Sequence, residues 1–422
     1  MTDVRPAWAA RLQAAREQRG WNKREMARRL FLTAKIPNGN VDSLARQIRG
    51  YESGEHFPRD WTEHYAAAFG STPTDLFGEA QHPQPPDVVD SAIVEVLEMA
   101  ASLERSDIGD GELHYLDVAT RRLTYDYARQ PPLTVLGEAH GLQHRITTIL
   151  RDHRLRLAQR RELLATSAEL FALINLLAGD VGRYREADAY GYAAWTCAHE
   201  ADSDAARALV LCAQTKTARW EGRYREAAEL ARRGYELAPT SARGRVLLAA
   251  SAATALQSRG DIAGARDALV LAERAREVGD AADQTADAWS CTRARQHTYA
   301  LQVGLGAREP TAMLASAEAA DDAWAEGDEW VYGTWAQVRI GAALAYVMTG
   351  DPDRAESELE PVFDLEDHFR VVTIVGRMGE VRQRLAHSRY KSDRRAEALR
   401  ERIHLFQTGS LEHKAIGAAE ES

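Results

Sequence analysis

Lysine is almost missing from this 422-residue chain, in which 5 lysines stand against 48 arginines. That bias is typical of a GC-rich bacterial genome and indicates no mechanism. Cysteine is also scarce: Cys197, Cys212 and Cys291 are far apart, without disulfide-framework or zinc-site spacing, which predicts reduced thiols in a cytoplasmic protein. No run of 18 apolar residues occurs and residues 1–6 lack an apolar segment, so we expect neither a membrane span nor a signal peptide.

Motifs of catalysis are missing as well. The chain contains no glycine-rich phosphate-binding loop, no His-Glu-x-x-His and no Gly-x-Ser-x-Gly element. His140 and His144 lie four residues apart on one helix face, but no further ligand of matching spacing accompanies them. Acidic pairs such as Asp321 and Asp322 are typical of solvated helix faces. The sequence therefore predicts no catalytic residue, no metal site and no cofactor.

The period-two alternation of apolar residues that marks β-strands is not sustained anywhere, and β-branched residues are sparse. From residue 87 onward the apolar residues recur at helical spacing instead. With 45% hydrophobic residues, the chain can bury a core in more than one domain. We predict an all-α protein.

The formal net charge of −10 is unevenly distributed along the chain. Residues 1–78 hold 12 Lys/Arg and 9 Asp/Glu, a net of +3, which leaves −13 for residues 79–422. Seven basic residues lie between positions 11 and 29: Arg11, Arg16, Arg19, Lys23, Arg24, Arg28 and Arg29. An acidic body with a basic head is suited to a polyanionic partner bound at one end; the alternative is a solvated helix face in an arginine-rich protein.

Within this basic region, helix signals follow a distinctive order. One amphipathic helix ends at Gly20, and a second begins at Asn22, which forms a capping-box pattern with Glu25. Further along, residues 51–54 read Tyr-Glu-Ser-Gly, and residues 70–77 end in Leu-Phe. This order resembles the Xre/Cro-type (lambda-repressor-like) helix-turn-helix family over about the first 78 residues. The resemblance implies a DNA-binding bundle whose recognition helix lies in the major groove.

The sequence departs from that family in one place. Between Leu30 and Glu52 there are 21 residues, where the family has about ten. The surplus, residues 34–40, contains a proline and an Asn-Gly turn signal, so the turn is predicted to be a loop and the recognition helix to start near Asp42. We expect this loop to be mobile in the free protein and to contact phosphate through Lys35 or its amides.

The resemblance also assigns roles within the head, with Leu44, Ile48 and Tyr51 facing its core. It implies that DNA is contacted by Ser43, Arg46, Gln47 and Arg49 of the recognition helix, beside an exposed Gly50, and by Lys23 and Arg24 of the helix before it. Arginine pairs with guanine and glutamine with adenine, while the two residues of the earlier helix grip phosphate. The alternative is that the two recognition-helix arginines touch only phosphate, or pair with Glu52 or Glu55.

Proline and glycine signals divide the remainder of the chain. After the head at 1–78, residues 79–87 form a Pro-rich linker. Residues 88–160 are predicted to be a helical connecting and dimerisation region, residues 161–408 a repeat domain, and residues 409–422 a flexible tail.

The repeat domain is predicted from a recurring motif. Gly-Arg-Tyr-Arg-Glu-Ala at 182–187 recurs at 222–227, weaker copies begin at Gly260 and Gly350, and the gap between these leaves room for a degenerate unit around 304–311. Each copy lies between two Ala/Leu-rich helices. The pattern resembles tetratricopeptide (TPR) hairpins, although the spacing exceeds that family's usual period of about 34. The resemblance implies an α-solenoid with a concave face that holds a peptide or partner.

If the first helix of each hairpin lines that concave face, it supplies the ligand groove. The groove candidates are Lys216, Arg219, Gln284, Asp287, Arg293, His297, Trp330 and Gln337. Several tryptophans and tyrosines crowd residues 289–346. They are either packing wedges between helices or flat apolar walls of this groove.

Together these features predict a cytoplasmic, sequence-specific transcription regulator. The head is expected to bind a double-stranded DNA operator, and the repeat domain to sense a peptide, small molecule or protein and to mediate homodimerisation. The alternative is a protein-interaction scaffold of tetratricopeptide type with a degenerate or non-specific head. An enzyme has no support in the sequence.

Overall fold

The computed structural model describes residues 5–78, 88–239, 244–278 and 285–409. Every regular element in those ranges is helical, and they contain no β-strand. The predicted all-α class is therefore confirmed. The chain divides into two compact units, Met1–Met99 and Ala100–Ser422.

The first unit contains a small bundle of short helices. They are α1 (Ala7–Gln18), α2 (Lys23–Thr33), α3 (Val41–Ser53), α4 (Thr62–Phe69) and α5 (Pro73–Phe77). Their apolar faces meet in a core that includes Leu12, Met26, Leu30, Ile48 and Phe69. Each such side chain contributes ~1.5–3 kcal/mol when fully buried, and isolated helices this short are marginal in water. Packing, rather than helix propensity, therefore holds the bundle together.

The helix start predicted at Asn22 is correct, but its capping box is only half formed. The Asn22 side chain accepts a hydrogen bond from the Glu25 amide at 2.9 Å. The Glu25 carboxylate does not return the bond; it binds Arg28 and Arg29 on the following turn, at 3.2 and 3.1 Å. Two adjacent guanidinium groups at i+3 and i+4 compete with the backbone amide for that carboxylate.

A further helix, α6 (Val88–Glu104), follows the bundle. Five of its large apolar side chains are between 50% and 68% exposed: Ile93, Val96, Leu97, Met99 and Leu103. Positions 93, 96, 100 and 103 have the alternating three-and-four spacing of a coiled-coil seam. Exposed apolar residues at that spacing mark a surface suited to packing against another helix.

After the last residues of α6, the second unit contains α7 (Asp110–Asp126) and α8 (Pro132–Asp152). Six helical hairpins follow: α9 (Leu157–Asp180) with α10 (Tyr184–Glu200), α11 (Asp204–Trp220) with α12 (Tyr224–Leu237), α13 (Arg245–Ser258) with α14 (Ile262–Val278), α15 (Arg293–Ala307) with α16 (Pro310–Ala325), α17 (Tyr332–Thr349) with α18 (Pro352–Phe363), and α19 (Val372–Leu385) with α20 (Arg394–Thr408). The first helix of each hairpin contacts the first helix of the next. The first helices thus form one continuous layer, and the predicted α-solenoid is confirmed.

Backbone conformation explains where the hairpins bend. Gly182, Gly222, Gly260 and Gly350 all adopt positive φ, between 79° and 92°. Glycine takes this left-handed conformation without steric cost and ends a helix there. Between α15 and α16 the same conformation is taken by Arg308, with φ of 60°. The degenerate unit predicted around 304–311 is therefore a true hairpin in which arginine replaces glycine at the bend.

Helix α9 contains a long apolar stretch. Among the described residues it alone is long and apolar enough to cross a membrane, yet 67% of the qualifying stretch is buried inside the protein. Such burial is typical of a core helix in a soluble protein. The three cysteines are free thiols; Cys212 and Cys291 are buried, whereas Cys197 is only half-buried.

Candidate nucleic-acid interface and ligand cavity

Helix α3 presents two different faces. Leu44 and Ile48 are buried in the core of the head, while Arg46, Gln47 and Arg49 are exposed. Ser43 is half-buried, and its amide is capped by Asn40 at 2.9 Å, so its hydroxyl lies beside the helix start. The amphipathic division expected for this helix is present.

One of the expected positions near the end of α3 differs from the prediction. Gly50 is buried rather than exposed, and an added Cβ there would meet the His56 ring at 3.4 Å. Tyr51 packs against the core of the head as predicted, and its hydroxyl donates to the Gln47 side chain at 3.3 Å. The segment after α3 folds back over this end, which the local sequence pattern does not reveal.

A buried ion pair connects α1 to the end of α3. Arg16 is 6% exposed and Glu52 is 4% exposed. The Arg16 guanidinium donates to both Glu52 carboxylate oxygens, at 2.5 and 2.9 Å, and to the Trp21 carbonyl at 2.6 Å. The hydrogen bond to Glu52 raises the pKa of Arg16. Arg16 is thus part of the bundle interior, and counting it within a basic surface was wrong.

The same ion pair leaves the α3 arginines free. Because Glu52 is occupied by Arg16, the alternative in which Glu52 neutralises Arg46 or Arg49 is wrong. Within the described residues, neither arginine has a side-chain hydrogen bond or ion pair. Both guanidinium groups remain available to an acceptor from outside the head.

The two candidate phosphate-gripping residues are already paired. Lys23 lies 3.2 Å from Glu52, and Arg24 lies 2.7 Å from Asp42. The Arg24 and Asp42 side chains are both 66% exposed, so their pair contributes only ~0–1 kcal/mol and exchanges readily for another anion. Lys23 is held more firmly because its partner is buried.

The extra residues before α3 form a packed connection. The Ile36 amide donates to the Phe31 carbonyl at 2.9 Å, and Lys35 takes positive φ to make that turn. At the other end, Gly39 lies against the Phe31 ring; a Cβ there would be 2.3 Å from a ring carbon. Lys35 itself is exposed. The predicted loop is thus anchored at both ends on the last turns of α2.

In the second unit, four of the predicted groove residues meet in one cavity of about 140 Å³: Lys216, Arg219, Asp287 and Gln337. The cavity lies between the first helices of several hairpins and the loop before α15. The solenoid also brings its ends together, because α9 contacts α19. Gln284 lies outside the described residues.

Three other predicted groove residues lie elsewhere. Arg293 pairs with Glu326 at 2.5 Å, and Trp330 is 55% exposed and packs on Trp335. His297 is half-buried, and burial lowers its pKa. On α15 the cavity is lined instead by Arg295, Thr298, Tyr299 and Gln302. A two-residue offset turns a helix by about 200°, so the predicted face of α15 is nearly opposite to the real one.

Lys216 belongs to a buried polar cluster at the cavity wall. Its ammonium lies 2.8 Å and 3.0 Å from the Asp180 carboxylate oxygens and 2.6 Å from the Tyr127 hydroxyl. Asp180 is 5% exposed, and it also accepts a hydrogen bond from Tyr127 at 2.7 Å. Burial and the Asp180 charge raise the pKa of Tyr127. The charges of Lys216 and Asp180 therefore balance each other.

Arg295 shapes the loop that closes one side of the cavity. Its guanidinium donates to the carbonyls of Asp287 and Ser290, at 3.1 and 2.5 Å. The Asp287 carboxylate accepts the amides of Trp289 and Ser290, at 2.8 and 2.7 Å. Asp287 thus holds the loop together.

Arg219 is different, since it has no carboxylate partner within ion-pair distance among the described residues. Its guanidinium donates to the Gln302 side-chain oxygen at 3.4 Å and lies 4.5 Å from the Trp220 ring. Arg377 approaches the same ring at 5.9 Å and is itself paired with Glu380 at 2.9 Å. Burial, followed by the Arg377 charge, lowers the pKa of Arg219 to about 10. Among the cations of the cavity wall, Arg219 thus has neither a paired carboxylate nor the backbone carbonyl acceptors that Arg295 has.

A larger and more open cleft, of about 940 Å³, lies on the outer side between α12 and α14. In it Arg232 binds Glu229 and Glu236 at 2.6 and 2.5 Å, while Arg225, Arg259 and Arg274 have no ion pair in the described part of the chain. Volume favours this cleft, but the inner cavity gathers four of the predicted groove residues. The inner cavity is therefore the better candidate site.

No cluster of three or more metal-ligating side chains occurs in the part of the chain that the structure describes. His140 packs against the Tyr190 ring at 5.8 Å. The sequence matches no protein-family model, and no curated protein matches it.

Proposed function

We propose that this protein is a DNA-binding transcription regulator in which α3 reads base edges and the solenoid binds a signal. The observation that carries the proposal is the isolation of the α3 cations. Arg46 and Arg49 face solvent unpaired, whereas neighbouring basic residues such as Arg16, Lys23 and Arg24 are bound within the head. A face that keeps its arginines free, on a helix anchored by its other side, is suited to a polyanion.

Base reading follows from the side chains that α3 exposes. Arginine binds guanine through two parallel hydrogen bonds in the major groove, and glutamine does the same with adenine. Gln47 already accepts a hydrogen bond from Tyr51, which fixes its amide near the helix surface. Arg24 contributes to phosphate contact by exchanging its exposed Asp42 partner, which costs little.

Dimerisation is part of the proposal, because one small head makes too few contacts for tight specific binding. We assign it to α6, with the α6 of a second copy as the occupant. Apolar residues at 93, 96, 100 and 103 supply the seam. The acidic residues Glu95 and Glu98 lie at outer heptad positions, where two copies do not oppose like charges.

The experiment is selection of bound DNA from a random pool by the full chain, followed by footprinting. A sequence-specific dimer yields a motif with twofold symmetry. The variant Leu103→Glu, which places a charge in the α6 seam, is expected to halve the solution mass and shorten the footprint to one half-site. Recovery of no enriched motif would defeat the base-reading role.

The second candidate function is a protein-interaction scaffold with a head that no longer reads sequence. The lengthened connection before α3 favours it, since residues 34–40 change the approach to DNA, and the internal pairing of Lys23 favours it too. In that case the random pool gives no motif, while partners are captured by the solenoid alone.

A further inference from the structure

The inner cavity of the solenoid contains more positive than negative charge. Its Lys216 is balanced by Asp180, and Arg377 beside it is balanced by Glu380. Arg295 has no ion pair among the described residues either, but its guanidinium donates to three backbone carbonyls of the loop. Arg219 has neither an ion pair nor such backbone acceptors in the described part of the chain, only one hydrogen bond of 3.4 Å.

Holding an arginine in this state is unfavourable. A buried cation loses hydration, and only an opposite charge or several hydrogen bonds restore that loss. Arg219, which is half-buried, has one long hydrogen bond of 3.4 Å, and a second guanidinium, that of Arg377, lies 5.9 Å from the same Trp220 ring. Two guanidinium groups beside one ring form a site that an anion would stabilise.

Hydrogen-bond donors without acceptors lie in the same place. The Trp220 indole nitrogen and the Arg377 Nε are both buried and have no partner. Arg377 is 8% exposed. Unsatisfied buried donors are rare in native proteins and call for a missing acceptor. Arg219 therefore lacks a paired carboxylate, and two donors beside it lack acceptor atoms.

The size and the walls of the cavity restrict which ligand can supply a negative charge and acceptor atoms there. Its volume of about 140 Å³ is close to that of an engineered protein cavity, about 150 Å³, which binds benzene. The walls combine the aromatic rings of Tyr127, Trp220, Tyr299 and Tyr332 with the amide side chains of Gln302 and Gln337. A single flat ring fits between such walls, and a peptide of several residues does not fit inside.

We propose that the inner cavity binds a small aromatic carboxylate, with its carboxylate on Arg219 and its ring among the tyrosines. This inference deepens the signal-binding part of the proposed function and rests on it. Planar, bidentate pairing with a carboxylate is the interaction for which arginine is best suited. Because Arg219 belongs to the second hairpin and Arg377 to the sixth, the ligand would also strengthen the contact between the two ends of the solenoid.

The test is titration calorimetry on the full chain without DNA, with benzoate as the probe. We expect saturable binding of one benzoate per chain and at least tenfold weaker binding of benzamide, which has the same shape without the charge. Acetate and inorganic phosphate distinguish the contributions of ring and anion; both are expected to bind at least tenfold more weakly than benzoate.

The variant Arg219→Gln is expected to lose benzoate binding at least tenfold while its melting temperature is kept within a few degrees. Arg293→Gln is the matched control, because it removes an arginine of the next-but-one hairpin that pairs outside the cavity. It should bind benzoate like the natural chain. Equal binding by Arg219→Gln, equal binding of benzamide, or no saturable benzoate binding at 10 mM would overturn the proposal.

DNA binding is measured on the same proteins to separate the two claims. Arg219→Gln is expected to retain the selected motif and its footprint. Benzoate binding without any DNA motif would leave the cavity assignment intact and defeat the regulator role. A DNA motif without benzoate binding would leave the regulator role intact and overturn the cavity assignment.

Discussion

The arginines of α3 and those of the inner cavity are chemically identical, yet their surroundings differ in hydration. Arg46 and Arg49 lie in solvent, where a cation costs nothing to keep and a neighbouring charge is screened within about 10 Å at 0.1 M salt. Arg219 lies among aromatic rings, and its pKa is lowered to about 10 by burial and by Arg377. The first environment suits an extended polyanion that releases counterions, and the second suits one enclosed anion.

Within the cavity itself, Lys216 and Arg219 provide the sharpest contrast, since they lie one turn apart on α11. Lys216→Met leaves the buried Asp180 without its cation and is expected to destabilise the solenoid by ~2–4 kcal/mol. The value lies toward the lower part of the usual range because Tyr127 still donates to Asp180. Urea unfolding followed by circular dichroism measures the loss.

Arg219→Met is the matched change and is expected to leave stability unchanged or raise it, since no carboxylate loses a partner. Replacing a poorly compensated buried charge by an apolar side chain is often neutral or stabilising. A loss as large as that of Lys216→Met would show that Arg219 is structural, and would remove the contrast between the two positions.

Salt dependence separates the exposed arginines from the enclosed one. DNA affinity is expected to fall steeply with salt, with a log–log slope of about −0.9 for each phosphate contact. Lys23→Ala should reduce that slope by about one, because phosphate can draw Lys23 away from Glu52, whose charge Arg16 still neutralises. Benzoate affinity should change far less over the same range. Fluorescence anisotropy measures the DNA affinity and calorimetry the benzoate affinity between 50 and 200 mM salt. Equally steep salt dependence of the two affinities would contradict the distinction between exposed and enclosed arginines.

The smallest expected effect concerns pH and the half-buried His297. Burial lowers its pKa in the folded chain, so the unfolded chain binds a proton first as pH falls below about 6.5. Folding stability should therefore decrease through that range. His297→Gln is expected to flatten the decrease slightly in melting curves recorded between pH 5 and 8. If His297→Gln leaves the dependence of melting temperature on pH unchanged, His297 has no lowered pKa in the folded chain.

Sequence periodicity predicted most of the architecture. The hairpin bends follow from Gly182 and its equivalents, because a left-handed residue between two apolar helices leaves a local signal. The start of α3, predicted near Asp42, is observed at Val41, where Asn40 provides a cap. These features depend on neighbouring residues and are visible without tertiary contacts.

The features that sequence could not provide depend on distant residues. Arg16 and Glu52 are 36 positions apart, and nothing near either one indicates that they pair inside the bundle. The prediction of which face of α15 lines the cavity was wrong by two positions. Apolar residues occur on most sides of this helix, so its sequence does not determine which side faces inward. The sequence did not predict the other side chains that complete the cavity, such as Asp180 and Gln302.

The central claim is that α3 reads base sequence, and the most direct measurement compares the affinity for the selected motif with that for random DNA. Arg46→Ala is expected to cost ~1–3 kcal/mol on the motif and to relax preference at one base pair, with little change on random DNA. Arg59→Ala, which removes an exposed arginine outside α3, is the charge-matched control and should leave the preference intact. Equal losses of Arg46→Ala on motif and random DNA would contradict base reading by α3.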